Sequence, residues 1–454
     1  MNNFRHKKIG IWGFGVVGQF ALTYFDQLNA TRIHILDSKQ IALPTTQTPT
    51  IATVQTDQTI QTFLENNDII LASPGIKLHD YQQFAHKFIN ELDIIQDNTS
   101  CSIIAITGTV GKTSITHLLE NIIKDSYQNT IAAGNIGYPM LNLITNIQDI
   151  AIIELSSFQL QPIKLFSPNL AIITNFFPNH LDHHQSIEEY FAAKCNILKY
   201  QSENQLALIP LHLVDQITQI IPLKKNWALF STTKPTPEIL ETYAQHQIYY
   251  LENKLIYHTH NNQTEQLFDC SSLPALTFDD NWLVIVAACH LYKIDLTTIL
   301  PVAQNITLPD HRVQNVGSHQ GCNFYNDSKS TVWQATLQAV QSMGNKPVKL
   351  FVGGLSKGAD RTPLFQAIAH KNIEIYAFGK EANQLAQLCA QFNIKHSAYA
   401  TLDTAWQACI KSLTTGHEVL FSPGGSSFDL FSDYKARGDY FSSLVKNFCK
   451  ASKN

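Results

Sequence analysis

Ile103-Ile104-Ala105-Ile106-Thr107-Gly108-Thr109-Val110-Gly111-Lys112-Thr113-Ser114 passes from an unbroken apolar run to a glycine-rich turn ending in a lysine and two hydroxyl residues. An apolar run of this length, bounded by turn residues, predicts a buried strand. The residues after Gly111 predict a helix. Glycines let backbone N–H groups converge on phosphate oxygens, the helix N-terminus adds partial positive charge, and a lysine reaches the terminal phosphates. Thr113 is placed to hold Mg²⁺ through its hydroxyl. The longer GxxxxGK[ST] spacing is not met, because Ile106 stands where its first glycine belongs. What remains is a TGxxGK[ST] loop of Gly108, Thr109, Val110, Gly111, Lys112, Thr113 and Ser114. A plain glycine turn with a solvated lysine stays open on this motif alone.

Outward from this loop, short apolar runs alternate with helical patterns, which predicts α/β units on mostly parallel sheets. Strands are expected at 8–12, 32–36, 68–72, 103–107, 151–155, 170–175, 322–325, 348–352, 373–378 and 419–421. Helices are expected near 17–28 and 187–199, a polar linker at 96–102 and a hairpin within 247–258. No internal repeat is visible. With 454 residues the chain exceeds one ordinary core. It divides into three domains: 1–97 Rossmann-like, 98–308 a P-loop ATPase-like α/β domain, and 309–454 again Rossmann-like.

Composition narrows the partners. Hydrophobic residues make up 44% and charged ones 15%, as in a globular chain with large sheets. A formal charge of −4 offers no basic field for nucleic acid, so any anion must be bound locally. Eight scattered cysteines show neither CxxC pairs nor a disulfide spacing, which suits a reducing compartment. Arg5, Lys7 and Lys8 precede an apolar stretch in the manner of a secretory signal. The four glycines inside it, Gly10, Gly13, Gly15 and Gly18, and the lack of a small-residue cleavage site fit that badly. No apolar run approaches bilayer-crossing length. The expectation is a soluble, cytoplasmic, monomeric protein without membrane partners.

Further polar residues fall where a nucleotide site uses them. Glu154 ends an apolar strand, and strand ends are where open α/β sheets present ligands. Asn135 lies between Gly134 and Gly137, which permit close backbone approach. His180 and Asp182 follow another strand, and an imidazole and a carboxylate there suit a divalent cation. Singly these are weak signals in a chain with 18 histidines. Near the start, Gly13-Phe14-Gly15-Val16-Val17-Gly18 follows a strand, precedes a helix and is trailed about twenty residues later by Asp37, satisfying the dinucleotide fingerprint. That fingerprint alone fits NAD and a UDP-sugar equally, since a pyrophosphate is held by N–H groups in either.

Taken together, Thr107–Thr113, Gly134–Gly137, Glu154–Leu160, His180–Asp182, Ala192–Lys194, Asp310–Arg312, Asn326–Thr331 and Gly353–Lys357 stand in the order of the conserved blocks of the Mur ligase family, which the chain resembles over its whole length. Glu154–Leu160 and the ending Ser422–Asp429 through Arg437-Gly438 resemble its D-glutamate-adding members. The Asp-Asn-Pro-Arg motif of the diaminopimelate- or lysine-adding relative is absent, as is a four-cysteine zinc ribbon. The resemblance implies an ATP-dependent ligase of peptidoglycan synthesis that joins D-glutamate to UDP-N-acetylmuramoyl-L-alanine through an acyl phosphate.

It further implies Lys112 on the γ-phosphate and Thr113, Glu154 and His180 on Mg²⁺ ions. Lys194 is implied to be a carbamylated, metal-binding lysine, and Lys112, Asn135, His180 and Lys194 to be the catalytic set. Asn281, Arg312, Asp327 and Lys329 are implied to handle ATP. Thr331, Lys357, Ser427 and Phe428 are implied to form the pocket for the incoming amino acid. Gly13 to Gly18, Asp37, Ser73 and Gly75 fall to the UDP-sugar, with Asp37 and the Ser73 turn near the uracil. Val110 and Asn179 depart from the asparagine and aspartate of many relatives. The competing readings are a folylpolyglutamate synthetase, an NAD-linked oxidoreductase and a catalytically silent nucleotide-binding partner.

Overall fold

The structure is a computed structural model that describes residues 4–28, 30–136, 138–144, 148–178, 184–274, 277–306 and 309–451. Three sheets carry it. The first orders Thr50–Val54, Arg32–Asp37, Lys8–Trp12, Ile69–Ala72 and Phe88–Ile89, all parallel. Its central strand is flanked by the two that leave it in opposite directions, so a crevice opens where Gly13 and Ser73 end adjacent strands. The stretch that superficially suits a signal peptide is a strand, a turn and the helix Val16–Asp26.

The second sheet orders Gln263–Asp269, Leu255–His260, Ile248–Glu252, Trp227–Ser231, Leu206–Pro210, Leu170–Ile173, Ser102–Thr107, Ile150–Glu154 and Thr130–Gly134. Seven of these run parallel, and the first two add on antiparallel. Ser102–Thr107 lies deep in the sheet, with Ile103 to Thr107 all buried. An apolar run with no alternation belongs in such a place, because helices cover both faces of a parallel sheet. Lys112–Ser126 and Asp279–Leu291 pack on one another among these.

These two sheets share one compact unit, formed by Met1–Phe176, Glu188–Leu273 and Asp279–Asn305. The segment expected to be a free linker does not behave as one. Helix Glu91–Asn98 runs through Gln96, and Asn90 caps it by accepting from the N–H groups of Leu92 and Asp93. The buried Asp93 carboxylate then accepts from three consecutive backbone N–H groups, those of Lys164, Leu165 and Phe166, at 2.8 to 3.1 Å. This ties the segment to the second sheet, a tertiary contact that local polarity does not announce.

The other unit comprises Phe177–Ile187, Pro274–Phe278 and Ile306–Asn454. Its sheet orders Gln314–His319, Cys322–Asn326, Glu418–Phe421, Val348–Gly353, Ile373–Phe378 and Lys395–Tyr399, parallel except for the first pair. On one face Phe351 is fully buried among Tyr376, Trp406, Phe421 and Phe441, with ring centres 5.4 to 6.4 Å away. Truncating it opens a cavity that neighbouring rings, each held by others, fill poorly. Phe351→Ala is therefore expected to lower the stability of this unit by about 3–5 kcal/mol, read as an earlier urea transition in Trp406 fluorescence.

Candidate active site

The carboxyl ends of four neighbouring parallel strands converge on the glycine loop. In sheet order they deliver Thr174 and Asn175, the turn beginning at Gly108, Glu154, and Asn135. Gly108 has φ +146° and Gly111 φ +89°, the latter capping helix Lys112–Ser126. A Cβ on Gly108 would stand 1.9 Å from Thr174 Oγ1, and one on Gly111 2.4 Å from Asn281 Oδ1. Both positions thus exclude any side chain by contact as well as by backbone angle.

Thr174 and Asn175 hold this turn in a way the sequence did not announce. Asn175 Oδ1 accepts from the N–H groups of Thr109 at 3.1 Å and Val110 at 2.9 Å. Thr174 Oγ1 and Asn175 Nδ2 both donate to the Val110 carbonyl, at 2.8 and 3.0 Å. Val110 itself is buried, so its backbone rather than its side chain is anchored here. The only signal available was a polar pair ending a strand beside the loop strand.

Two lysines meet behind the turn. Lys112 Nζ donates to the carbonyls of Gly108 at 2.8 Å and Thr109 at 3.2 Å, and Lys194 Nζ donates to the same Gly108 carbonyl at 2.8 Å. Lys194, on helix Ile187–Lys199, is buried, with Nζ 4.7 Å from the centre of the Tyr190 ring. Burial, and then the charge of Lys112, hold its ammonium far below the usual lysine range, only partly offset by Cys195 and Glu154. Both act against the charged form. Glu154 is a buried carboxylate whose Oε1 accepts from Asn135 Nδ2 at 3.2 Å. Thr113 and Ser114 are buried in the first turn of the helix. Gly137, Asn179, His180 and Asp182 lie outside the described residues.

At the first sheet, the turn from Gly13 to Gly18 is equally crowded. A Cβ on Gly13 would meet Ser73 Oγ at 2.4 Å, and one on Gly18 would meet the Gly13 carbonyl at 2.2 Å. Gly15 and Gly75 face open space, so packing does not demand glycine there. Gly15 caps helix Val16–Asp26, and Val16 is exposed. Phe14 and Val17 pack on the core. Asp37 receives the Phe14 N–H at 2.7 Å and the Lys39 N–H at 2.9 Å. Burial raises its pKa, but these hydrogen bonds outweigh that and hold it low. In this arrangement Asp37 braces the glycine turn itself.

The remaining expected residues belong to the second unit. Asp327 is buried, with Ser422 Oγ donating at 2.7 Å, Ser330 Oγ also donating, and the Val313 N–H at 3.3 Å. Desolvation raises its pKa to about 6 against these donors and the charge of Arg312. Lys329 Nζ lies 5.5 Å over the Tyr434 ring, and Thr331 is half-buried nearby in sequence. Reciprocal hydrogen bonds of 2.9 Å between Leu355 and Ser426 join two loops, which places Lys357 Nζ 5.8 Å over the exposed Phe428 ring. Ser427 is buried at the same join. Two arginines behind it were not among the expected site residues. Arg437 is fully buried and donates to the Ser328 carbonyl and hydroxyl and the Gly425 carbonyl at 2.7 to 3.0 Å. Arg361 donates to the Gly354 carbonyl at 2.9 Å and pairs with Glu381 at 3.4 Å.

Residues 106–288 match the model of the Mur ligase middle domain. A UDP-N-acetylmuramoylalanine–D-glutamate ligase of Caldicellulosiruptor bescii is 31% identical over 396 residues, covering 84% of each chain. Another, of a Thermoanaerobacter species, is 28% identical and covers 97% of this chain and 98% of its own. In architecture the chain is similar to the MurF ligase of Thermotoga maritima solved with ADP, with a TM-score of 0.56, 14% identity, and coverage of 99% and 96%.

The buried Asp327 has a measurable consequence. Its carboxyl holds a proton more tightly in the folded state, with a pKa of about 6 against the ordinary 3.8. Its contribution to stability is therefore fully present below pH 4 and is lost as pH rises through 6. Asp327→Asn should remove a decline of roughly 3 kcal/mol across that window. The difference between wild type and variant in urea midpoints at pH 4 and 7 reads it.

Proposed function

The chain belongs to the Mur ligase family, and from that membership we propose that it joins D-glutamate to UDP-N-acetylmuramoyl-L-alanine by an amide bond, cleaving ATP to ADP and phosphate, in the cytoplasmic stage of peptidoglycan synthesis. The observation that carries this is the match to D-glutamate ligases over nearly all of both chains. That match favours this reading over the folylpolyglutamate and nicotinamide alternatives. The first fingerprint then serves a nucleotide-sugar, as pyrophosphate recognition by N–H groups permits.

A carboxylate resists attack by an amine because it is negatively charged and has no leaving group. The γ-phosphoryl group passes to a carboxylate oxygen of the UDP-sugar substrate and ADP departs. The amine of D-glutamate then attacks the acyl carbon, the C–O bond to phosphate breaks, and the nitrogen loses a proton. The protein's task is positioning and charge compensation. Lys112 exchanges its contacts with the Gly108 and Thr109 carbonyls for the γ-phosphate, and the loop Gly108 to Ser114 lines the phosphates. Thr113, Glu154 and His180 are assigned to Mg²⁺, which supplies Lewis-acid compensation of phosphate charge. A buried carboxylate and a helix-start hydroxyl suit such a hard cation.

Lys194 is assigned to the same centre as a carbamate. Its burial and its neighbour Lys112 act against the ammonium; the amine, once deprotonated, adds CO₂ and releases a proton, and the product is a carboxylate-like ligand. Asn135 orients Glu154. Asn281, Arg312, Asp327 and Lys329 take ATP. Thr331, Lys357, Ser427 and Phe428 take the amino acid, where a cation suits a carboxylate. Gly13 to Gly18, Asp37, Ser73 and Gly75 take the UDP-sugar. Residues 1–97, 98–308 and 309–454 are the corresponding domains of a monomer.

Mass spectrometry after incubation with ATP, Mg²⁺, UDP-N-acetylmuramoyl-L-alanine and labelled D-glutamate should find the amide, and ¹⁸O in the substrate carboxylate should appear in phosphate. Unlabelled phosphate would exclude the acyl phosphate. Lys112→Ala should lower kcat by roughly 10²–10³-fold or more. Lys194→Ala should lose activity that short-chain acids partly restore by filling the vacated space, whereas full activity without additive would remove the carbamate.

A further inference from the structure

Away from the nucleotide loop, the antiparallel end of the second sheet brings together three residues that the ligase reaction does not use. His258 lies on strand Leu255–His260, Glu265 on its neighbour Gln263–Asp269, and His290 on the last turn of helix Asp279–Leu291. One ligand atom from each lies within 4.8 Å of the others. The hydrogen bonds around them fix both imidazoles. Glu265 Oε1 stands 3.0 Å from His258 Nδ1, and since a carboxylate only accepts, Nδ1 carries the proton. In the neutral imidazole His258 Nε2 is then a bare lone pair, buried and without a hydrogen-bond partner, which is costly to leave so. Tyr249 donates its single hydroxyl proton to Gln247 Oε1 at 3.0 Å. It therefore accepts from His290 Nδ1 at 2.8 Å, which leaves Nε2 of His290 bare as well.

The spacing suits a shared ion. Two imidazoles bound at about 2.0–2.1 Å to one tetrahedral metal have ring centres roughly 5 Å apart, and those of His258 and His290 are 4.8 Å apart. A carboxylate behind one ring and a hydroxyl behind the other are the outer partners that orient metal-bound histidines. We infer that His258 and His290, with Glu265 supplying the compensating charge, form a site for a divalent transition metal of the zinc class. Imidazole donors select such ions over Mg²⁺ or Ca²⁺. Glu265 is exposed, which gives the ion a way in. Bound there, the metal clips the antiparallel strands to the helix whose first turn carries Asn281, the residue that meets Gly111.

Chelator-treated protein, kept in excess Mg²⁺ so that sites for that ion are filled, is titrated with Co²⁺ and then Zn²⁺. The expected result is one Co²⁺ per chain with tetrahedral visible bands and no thiolate charge-transfer band, displaced by Zn²⁺, with a higher thermal midpoint. His258→Gln and His290→Gln should abolish it. Glu265→Gln, on an exposed strand where folding is not at stake, should weaken binding at least tenfold. No saturable binding, a thiolate band, or wild-type affinity in Glu265→Gln and both histidine variants would overturn the site.

Discussion

A single carbonyl, that of Gly108, receives hydrogen bonds from both Lys112 and Lys194, and the arrangement of the phosphate loop follows from how that convergence is made possible. Two amines within reach of one oxygen repel if both are charged. Burial, and then the charge of Lys112, both act against the charged form of Lys194. The turn that exposes the carbonyl exists only because Gly108 and Gly111 have no Cβ, with Thr174 and Asn281 occupying the space one would need. The same packing of strands and helices that keeps the loop tight buries Lys194.

The sheet supplies the rest of the centre by position. Parallel strands present all their carboxyl ends on one edge, so Asn175, the glycine turn, Glu154 and Asn135 become neighbours although Gly108 and Asn175 stand 67 residues apart in sequence. The hydrogen bonds between Asn175 and the turn turn that adjacency into a fixed geometry. Asp37 does the same for the first glycine turn through the Phe14 N–H.

The second unit solves a related problem with buried cations. Its two pocket loops approach at Gly354 and Gly425, where each Cα lies against the other loop's backbone. Arg437 and Arg361 fill the space behind them, donating to carbonyls that tight turns leave without partners. Burying guanidinium groups is costly, and burial lowers the pKa of both. The loops that hold Lys357 and Phe428 are braced by these donors from within, while the Phe428 ring itself stays exposed.

Local chemistry made much of this legible in the sequence. Apolar runs gave the strands at Lys8–Trp12, Ile373–Phe378 and the loop strand, and helix Ile187–Lys199 was placed to the residue. Glycine spacing located both turns, because positive φ and close approach are demands on a single residue. Edge strands such as Thr50–Val54 and Gln263–Asp269 escaped notice because the first is short and only partly buried and the second largely polar and exposed, and only their pairing partners make them strands. The helix through Gln96 escaped for the same reason, its anchor being the distant N–H groups that Asp93 receives. Sequence therefore determined the fold class, the loop and the family, each of which is written in contiguous residues. Tertiary structure alone decided the burial of Lys194, the bracing by Asn175, Arg361 and Arg437, and the meeting of His258 with His290. Burial and long-range hydrogen bonds are properties of what folding brings near, and no window of sequence contains them.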